Sequence, residues 1–233
     1  FLSRARNRPA EAEATLKEFI AAQPDEPRLP ILLGTFYEAS GRPEDAMVQY
    51  QLAASRAAST PTGLEARARI ATLKFEAGDA VAARAGYDAV LAEAPDNVPG
   101  LTGRGQLNLA EGKFQDAISD LRGALRKEPE NASALLALAR AHSGLGDANL
   151  ARDAYRSLLQ ADPRQVVAGT ELGVLLQGIG QLDEAEKQYR AAIATQPNYV
   201  PAGSGLVEVL IAKNDLTAAE AEARRLVALN DAL

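Results

Sequence analysis

His142 is the single histidine of the chain, and cysteine is absent. A lone imidazole provides no histidine pair for a metal site. Without cysteine there is neither a thiolate ligand nor a thiol nucleophile. We read His142 as a packed core histidine. The carboxylate pairs Glu128/Glu130 and Glu184/Glu186 read as solvated surface of second helices, because acid/base work also needs a cleft. The run Gly100-Leu101-Thr102-Gly103-Arg104-Gly105 has the glycine content of a phosphate loop. It follows no strand and precedes no Lys-Ser/Thr pair, so that reading fails. The sequence therefore predicts no catalytic set, no metal and no cofactor.

Composition points the same way. Hydrophobic residues make up 47% of the 233 residues while aromatics are only 5% and tryptophan is absent. Small and aliphatic side chains must do the packing, which suits closely pressed helices. A net charge of −6 argues against a nucleic-acid groove, whose affinity needs clustered Lys and Arg. The one basic run, Arg4, Arg6 and Arg8, reads as a solvated end. No apolar stretch approaches the ~20 residues of a membrane span. The chain opens Phe1-Leu2-Ser3 without a methionine, so we expect a fragment or a processed product. Arginine (19) far exceeds lysine (6), a bias that GC-rich codons would produce, and we expect a bacterial source.

What positions all side chains is a repeat. Ala12, Ala46, Ala83, Ala117, Ala151, Ala185 and Ala219 fall 34 residues apart except for one step of 37. A fixed period in this range means a stacked array of supersecondary units. Pro24, Pro61, Pro95, Pro129, Pro163 and Pro197 each stand three residues before a new unit, marking helix ends. Complete units then start at Pro27, Leu64, Val98, Ala132, Val166 and Val200. Fifteenth in each stands Gly41, Gly78, Gly112, Gly146, Gly180 or Asn214, the expected left-handed terminator of a first helix. Asp79, Asp147 and Asp215 follow as N-caps of a second helix. Gly34, Ala71, Gly105, Ala139 and Gly173 hold the eighth position, where a minimal side chain lets two helices approach. No stretch alternates with period two, so no strand is predicted.

These residues resemble the tetratricopeptide repeat family. The unit from Pro27 carries Leu33-Gly34, Tyr37, Gly41, Ala46, Tyr50 and Ala53, and that from Val166 carries Leu172-Gly173, Gly180, Ala185, Tyr189, Ala192 and Pro197. The resemblance covers residues 1–233 as a single array. Residues 1–26 form a partial repeat, read as the end of a first helix and all of a second. The resemblance implies an all-α, right-handed superhelical solenoid of antiparallel helix pairs. The chain also departs from the family pattern. The fourth position is Pro30, Arg67, Leu101, Leu135, Gly169 and Gly203, never tryptophan. Val207 and Ala223 replace the small residue and the aromatic of the last unit, predicting looser packing there. The long step inserts three residues between 52 and 63, either as a longer helix carrying Tyr50 or as a looser elbow at 59–63. The alanine-rich 52–58 stretch favours the longer helix. Both ends look unfinished, so we expect the natural array to continue, at least towards the N-terminus.

The family's inward positions (two, five, nine, twelve and thirteen) imply a concave groove. Carried over residue by residue, they give Ile31, Thr35 and Glu38, then Thr72, Phe75 and Glu76, then Gln106 and Leu109. The later units give Leu136 and Arg140, then Val174 and Gln177, then Glu208 and Ile211. Arg28, Glu65, Thr102, Ser133, Ser143, Val167, Thr170 and Ser204 complete the set. Arg28 and Arg140 are its only cations, so the basic clamp with which some relatives hold a C-terminal carboxylate pair is missing. The apolar series Ile31, Phe75, Leu109, Leu136, Val174 and Ile211 either lines the groove or packs between first helices. The reading that follows is a non-catalytic scaffold binding a protein or peptide segment in its groove, with no nucleic acid and no membrane span. The rivals are a spacer or end-to-end self-assembling element of a bacterial envelope or polysaccharide-export complex, and the recruiting arm of a larger enzyme. Resemblance alone inclines the compartment to the cell envelope.

Overall fold

The computed structural model describes the backbone of residues 2–230 and the side chains of residues 9–229. The reading of Arg4, Arg6 and Arg8 as solvated therefore lies outside the described side chains. Thirteen helices and no strand are present among the described residues. They fall into two compact units, Phe1–Ala110 and Glu111–Leu233. The division passes between the first and second helix of the repeat that starts at Val98.

The first unit holds α1 (Leu2–Ala22), α2 (Arg28–Ala39), α3 (Pro43–Arg56), α4 (Pro61–Glu76), α5 (Ala80–Glu93) and α6 (Val98–Ala110). The second holds α7 (Phe114–Lys127), α8 (Ala132–Gly144), α9 (Ala148–Ala161), α10 (Val166–Gly178), α11 (Leu182–Thr195), α12 (Val200–Ala212) and α13 (Leu216–Asn230). Within each repeat that lies inside one unit, the two helices pack on each other across a tight turn. The turn residue is left-handed in every complete repeat, with φ between 63° at Asn214 and 86° at Gly78. That conformation lets the next amide reach back, as Arg42 N donates to the Tyr37 carbonyl at 2.9 Å and Gln181 N to that of Leu176 at 2.8 Å.

Three details differ from the sequence reading. Residues 2–22 form one continuous helix, not the end of one and all of another. No glycine precedes Gly34, so the left-handed residue that ends every first helix elsewhere is missing. The inserted residues do not lengthen the helix carrying Tyr50, since α3 stops at Arg56 like its 14-residue counterparts. They add a turn to the front of α4, where Thr60 caps the helix by accepting from Gly63 N at 3.2 Å and Pro61 occupies the first position. Asp79 and Asp215 cap α5 and α13, accepting from Ala82 N at 2.9 Å and Ala218 N at 3.1 Å. Asp147 does not cap α9. Its carboxylate turns to Nδ1 of His142, 3.4 Å away.

Tyrosines from the second helices organise each core. Tyr50, Tyr87 and Tyr189 are fully buried, and Tyr155 nearly so. The rings of Tyr50, Tyr87 and Tyr189 fill space left by a glycine in a first helix. A Cβ on Gly34 would collide with the Tyr50 ring, and one on Gly173 would sit 2.7 Å from Cε1 of Tyr189. Burying a tyrosine removes roughly 150–250 Å² from water, about 4–6 kcal/mol by area alone. In the last repeat, α12 buries Ala202, Leu206, Val209 and Leu210, whereas α13 buries only Ala219 among its described side chains.

Candidate peptide-binding face

In the first unit the tyrosine hydroxyls pass between helices and meet the predicted groove positions. Tyr50 OH donates a short hydrogen bond to Glu38 and lies 3.3 Å from Thr35 Oγ1. Tyr87 OH lies 2.9 Å from Thr72 Oγ1. Burial raises the pKa of both phenols, that of Tyr87 to about 12, so they remain neutral donors. Arg69 of α4 extends the network, 3.7 Å from Glu38 and 3.2 Å from Glu65, with its guanidinium over the Tyr50 ring. Phe75 is half-buried against a cluster of Ala71, Ala83, Tyr87 and Leu107. Glu76 beside it is exposed, and partial burial together with the charge of Glu38 raises its pKa. Gln106 and Leu109 are half-buried.

The second unit repeats the device with different chemistry. Arg140 of α8 forks onto Glu171 of α10, its Nη2 2.6 Å and Nε 2.9 Å from the two carboxylate oxygens. Tyr155 OH donates to Glu171 at 3.0 Å. Tyr189 OH donates to the side-chain oxygen of Gln177 at 3.1 Å, and Gln177 donates to Glu208 at 3.1 Å. The fixed amide thus links α10 to α12. Val174 and Ile211 stand open at 60% and 54% exposure. Leu136 is half-buried on the core.

The apolar series therefore divides. Ile31 is 6% exposed in a cluster that includes Leu33, Tyr37 and Leu16 of α1, so it is a core residue and not a groove residue. Thr102 and Thr170, also at the fifth position, are buried as well. The fifth position is buried at Ile31, Ala68, Thr102 and Thr170, half-buried at Leu136 and exposed at Ser204, while the ninth and twelfth positions are half-buried or exposed throughout. Sequence reasoning missed Arg69, Glu171 and the tyrosine hydroxyls. The signal for the first two was the sixth position, charged only where a tyrosine closes the preceding repeat.

The other residues singled out in the sequence lie apart from this face. His142 is 3% exposed within the core. Glu184 and Glu186 pair with Arg156, Arg190 and Lys213, and Glu128 and Glu130 lie beyond the end of α7. No group of three metal-ligating side chains occurs among the described residues. No described helix is long and apolar enough to cross a membrane.

The site and fold define an all-α repeat protein that displays side chains from successive first helices. Sequence profiles of the tetratricopeptide repeat match residues 3–70 and 108–169, and a second such profile matches 170–232. The chain belongs to the tetratricopeptide repeat family, whose members generally mediate protein–protein interaction and are generally non-catalytic. A search of curated proteins gives no match. Among solved structures, the chain is similar to MamA, with 23% identity and a TM-score of 0.64 over 68% of this chain and 92% of that one. It is similar to PilF of Pseudomonas aeruginosa, with 18% identity and a TM-score of 0.74 over 87% and 91%. In the Cut9–Hcn1 hetero-tetramer of the APC/C, the match has 18% identity and a TM-score of 0.77 over 88% of this chain but only 40% of that one. At these identities the likeness is one of fold.

Proposed function

We propose that the chain is a non-catalytic interaction module that binds a protein segment across the predicted groove positions of its first helices. The observation that carries this reading is preorganisation. Glu38, Thr72, Glu171 and Gln177 are each held by a buried tyrosine hydroxyl from a second helix. Polar groups fixed in this way lose little entropy when a partner meets them. In the second unit Val174 and Ile211 add exposed apolar area on the helices that carry Glu171, Gln177 and Glu208. The net charge of −6 supports a protein partner over nucleic acid.

The test is paired capture from lysate of the source organism with wild type and a Val174→Glu, Ile211→Glu double variant. Both sites are exposed, so circular dichroism should match. A protein retained only by wild type supports the reading, and equal retention by both contradicts it. A second reading, end-to-end self-association through α13, draws on Leu216 and Val227, each 61% exposed. Sedimentation across a concentration series tests it, since a concentration-independent monomer excludes it.

A further inference from the structure

The fourth position of the first helix is filled from within the chain in several repeats. Leu101 and Leu135 occupy it at 7% and 6% exposure. In the last repeat Gly203 stands there, and Leu226 of α13 takes the space, lying 2.6 Å from where a Cβ would be. The repeat from Val166 is different. Gly169 has nothing nearer its absent Cβ than Leu159 Cδ2 at 3.9 Å and Ala192 Cβ at 4.0 Å. Beside it lies an open-mouthed cavity of about 140 Å³ between α9, α10 and α11, walled by Leu159, Pro163, Val166 and Ala192 and rimmed by Gln188 and Thr195.

That volume suits a single side chain. An apolar cavity of about 150 Å³ in another protein accommodates benzene. We propose that the Gly169 cavity is a socket for one leucine- or phenylalanine-sized side chain presented by a partner protein. The chain's own repeats point to the occupant, because leucine serves the fourth position in three of the other five repeats, Leu101 and Leu135 directly and Leu226 over Gly203, with Pro30 and Arg67 in the remaining two. The rim suits a peptide rather than a free hydrocarbon. The side-chain amide of Gln188 lines the cavity and offers both a donor and an acceptor to the backbone on either side of the inserted residue. None of the candidate groove residues lines the cavity, so this site stands or falls independently of the groove.

The experiment is methyl NMR of the whole chain, titrated with acetyl-Ala-Phe-Ala-amide and, separately, with toluene. The expected result is saturable shifts of the Leu159, Val166 and Ala192 methyls, several-fold tighter for the peptide than for toluene. Gly169→Leu should fill the cavity and abolish them. Absence of shifts with either probe overturns the proposal. Binding of toluene without the peptide also overturns it, leaving a packing void, as do peptide shifts that persist in a folded Gly169→Leu variant. Should that variant fail to fold, the location of the shifts in wild type decides alone.

Discussion

The two compact units share one scaffold and present different surfaces. In each, a buried tyrosine from a second helix sends its hydroxyl to a polar residue on the predicted groove face. Of the candidate residues that are exposed, the first unit offers Arg28, Thr35 and Glu76, whereas the second offers Arg140, Glu208, Val167, Val174 and Ile211 with the serines Ser133, Ser143 and Ser204. The first is polar and charged without exposed aliphatic area, while the second mixes charge with open aliphatic side chains. The period sets where side chains stand, and substitutions at the ninth and twelfth positions set what chemistry each unit presents. Under the proposed function, architecture and specificity are thus written at different positions of the same repeat.

If the tyrosines are the common element, removing one should be equally severe in either unit. Tyr50→Ala and Tyr189→Ala should each cost about 3–5 kcal/mol in urea denaturation, the range for emptying a large aromatic site. A loss in only one unit would break the comparison.

Deleting only the hydroxyl should separate the units. Tyr50→Phe removes a bond to a carboxylate and should cost about 1.5–3 kcal/mol. Tyr189→Phe removes one to a neutral amide and should cost about 0.5–1.5 kcal/mol. Equal costs measured by the same denaturation would show that the partner's charge does not matter.

Smaller again is the turn geometry, which should be indifferent to unit. Gly78→Ala and Gly146→Ala, both at positive φ, should each lose about 1–2 kcal/mol, read as a lowered urea midpoint with unchanged slope.

The mildest difference belongs to α1. Glu13 accepts from Lys17, Arg42 and Tyr37, and these bonds hold its pKa down at about 2. A depressed carboxylate contributes stability that is complete above its unfolded value near 4.5 and is lost as pH falls towards 2. The protection factors of the α1 amides, taken against the intrinsic exchange rate at each pH, should therefore fall between pH 4.5 and 2 in wild type and much less in Glu13→Gln.

Much of this was legible in the residues themselves. Gly41 through Gly180 and Asn214 announced every helix–helix turn, because only such residues adopt positive φ without strain. The prolines marked every loop, although Pro61 opens a helix where the others follow one. The alanine-rich 52–58 stretch favours a longer helix by propensity alone, whereas the cap at Thr60 and Pro61 at the first position put the inserted turn at the front of α4. The groove was less legible. Position numbers place a residue on a helix face but do not say what covers it, so Ile31 and Val174 looked alike while one is core and the other open. The tyrosine hydroxyls connect residues 12–16 apart in sequence, a distance that helical periodicity does not register.

The most direct test compares two exposed valines. Val174 stands on a first helix at 60% exposure, and Val81 on the second helix α5 at 83%. A photo-crosslinking amino acid would replace each in turn, and the protein would be irradiated in lysate of the source organism. The account predicts a discrete partner adduct from position 174 and none from 81. An adduct from 81 alone would place binding on the second helices and contradict it.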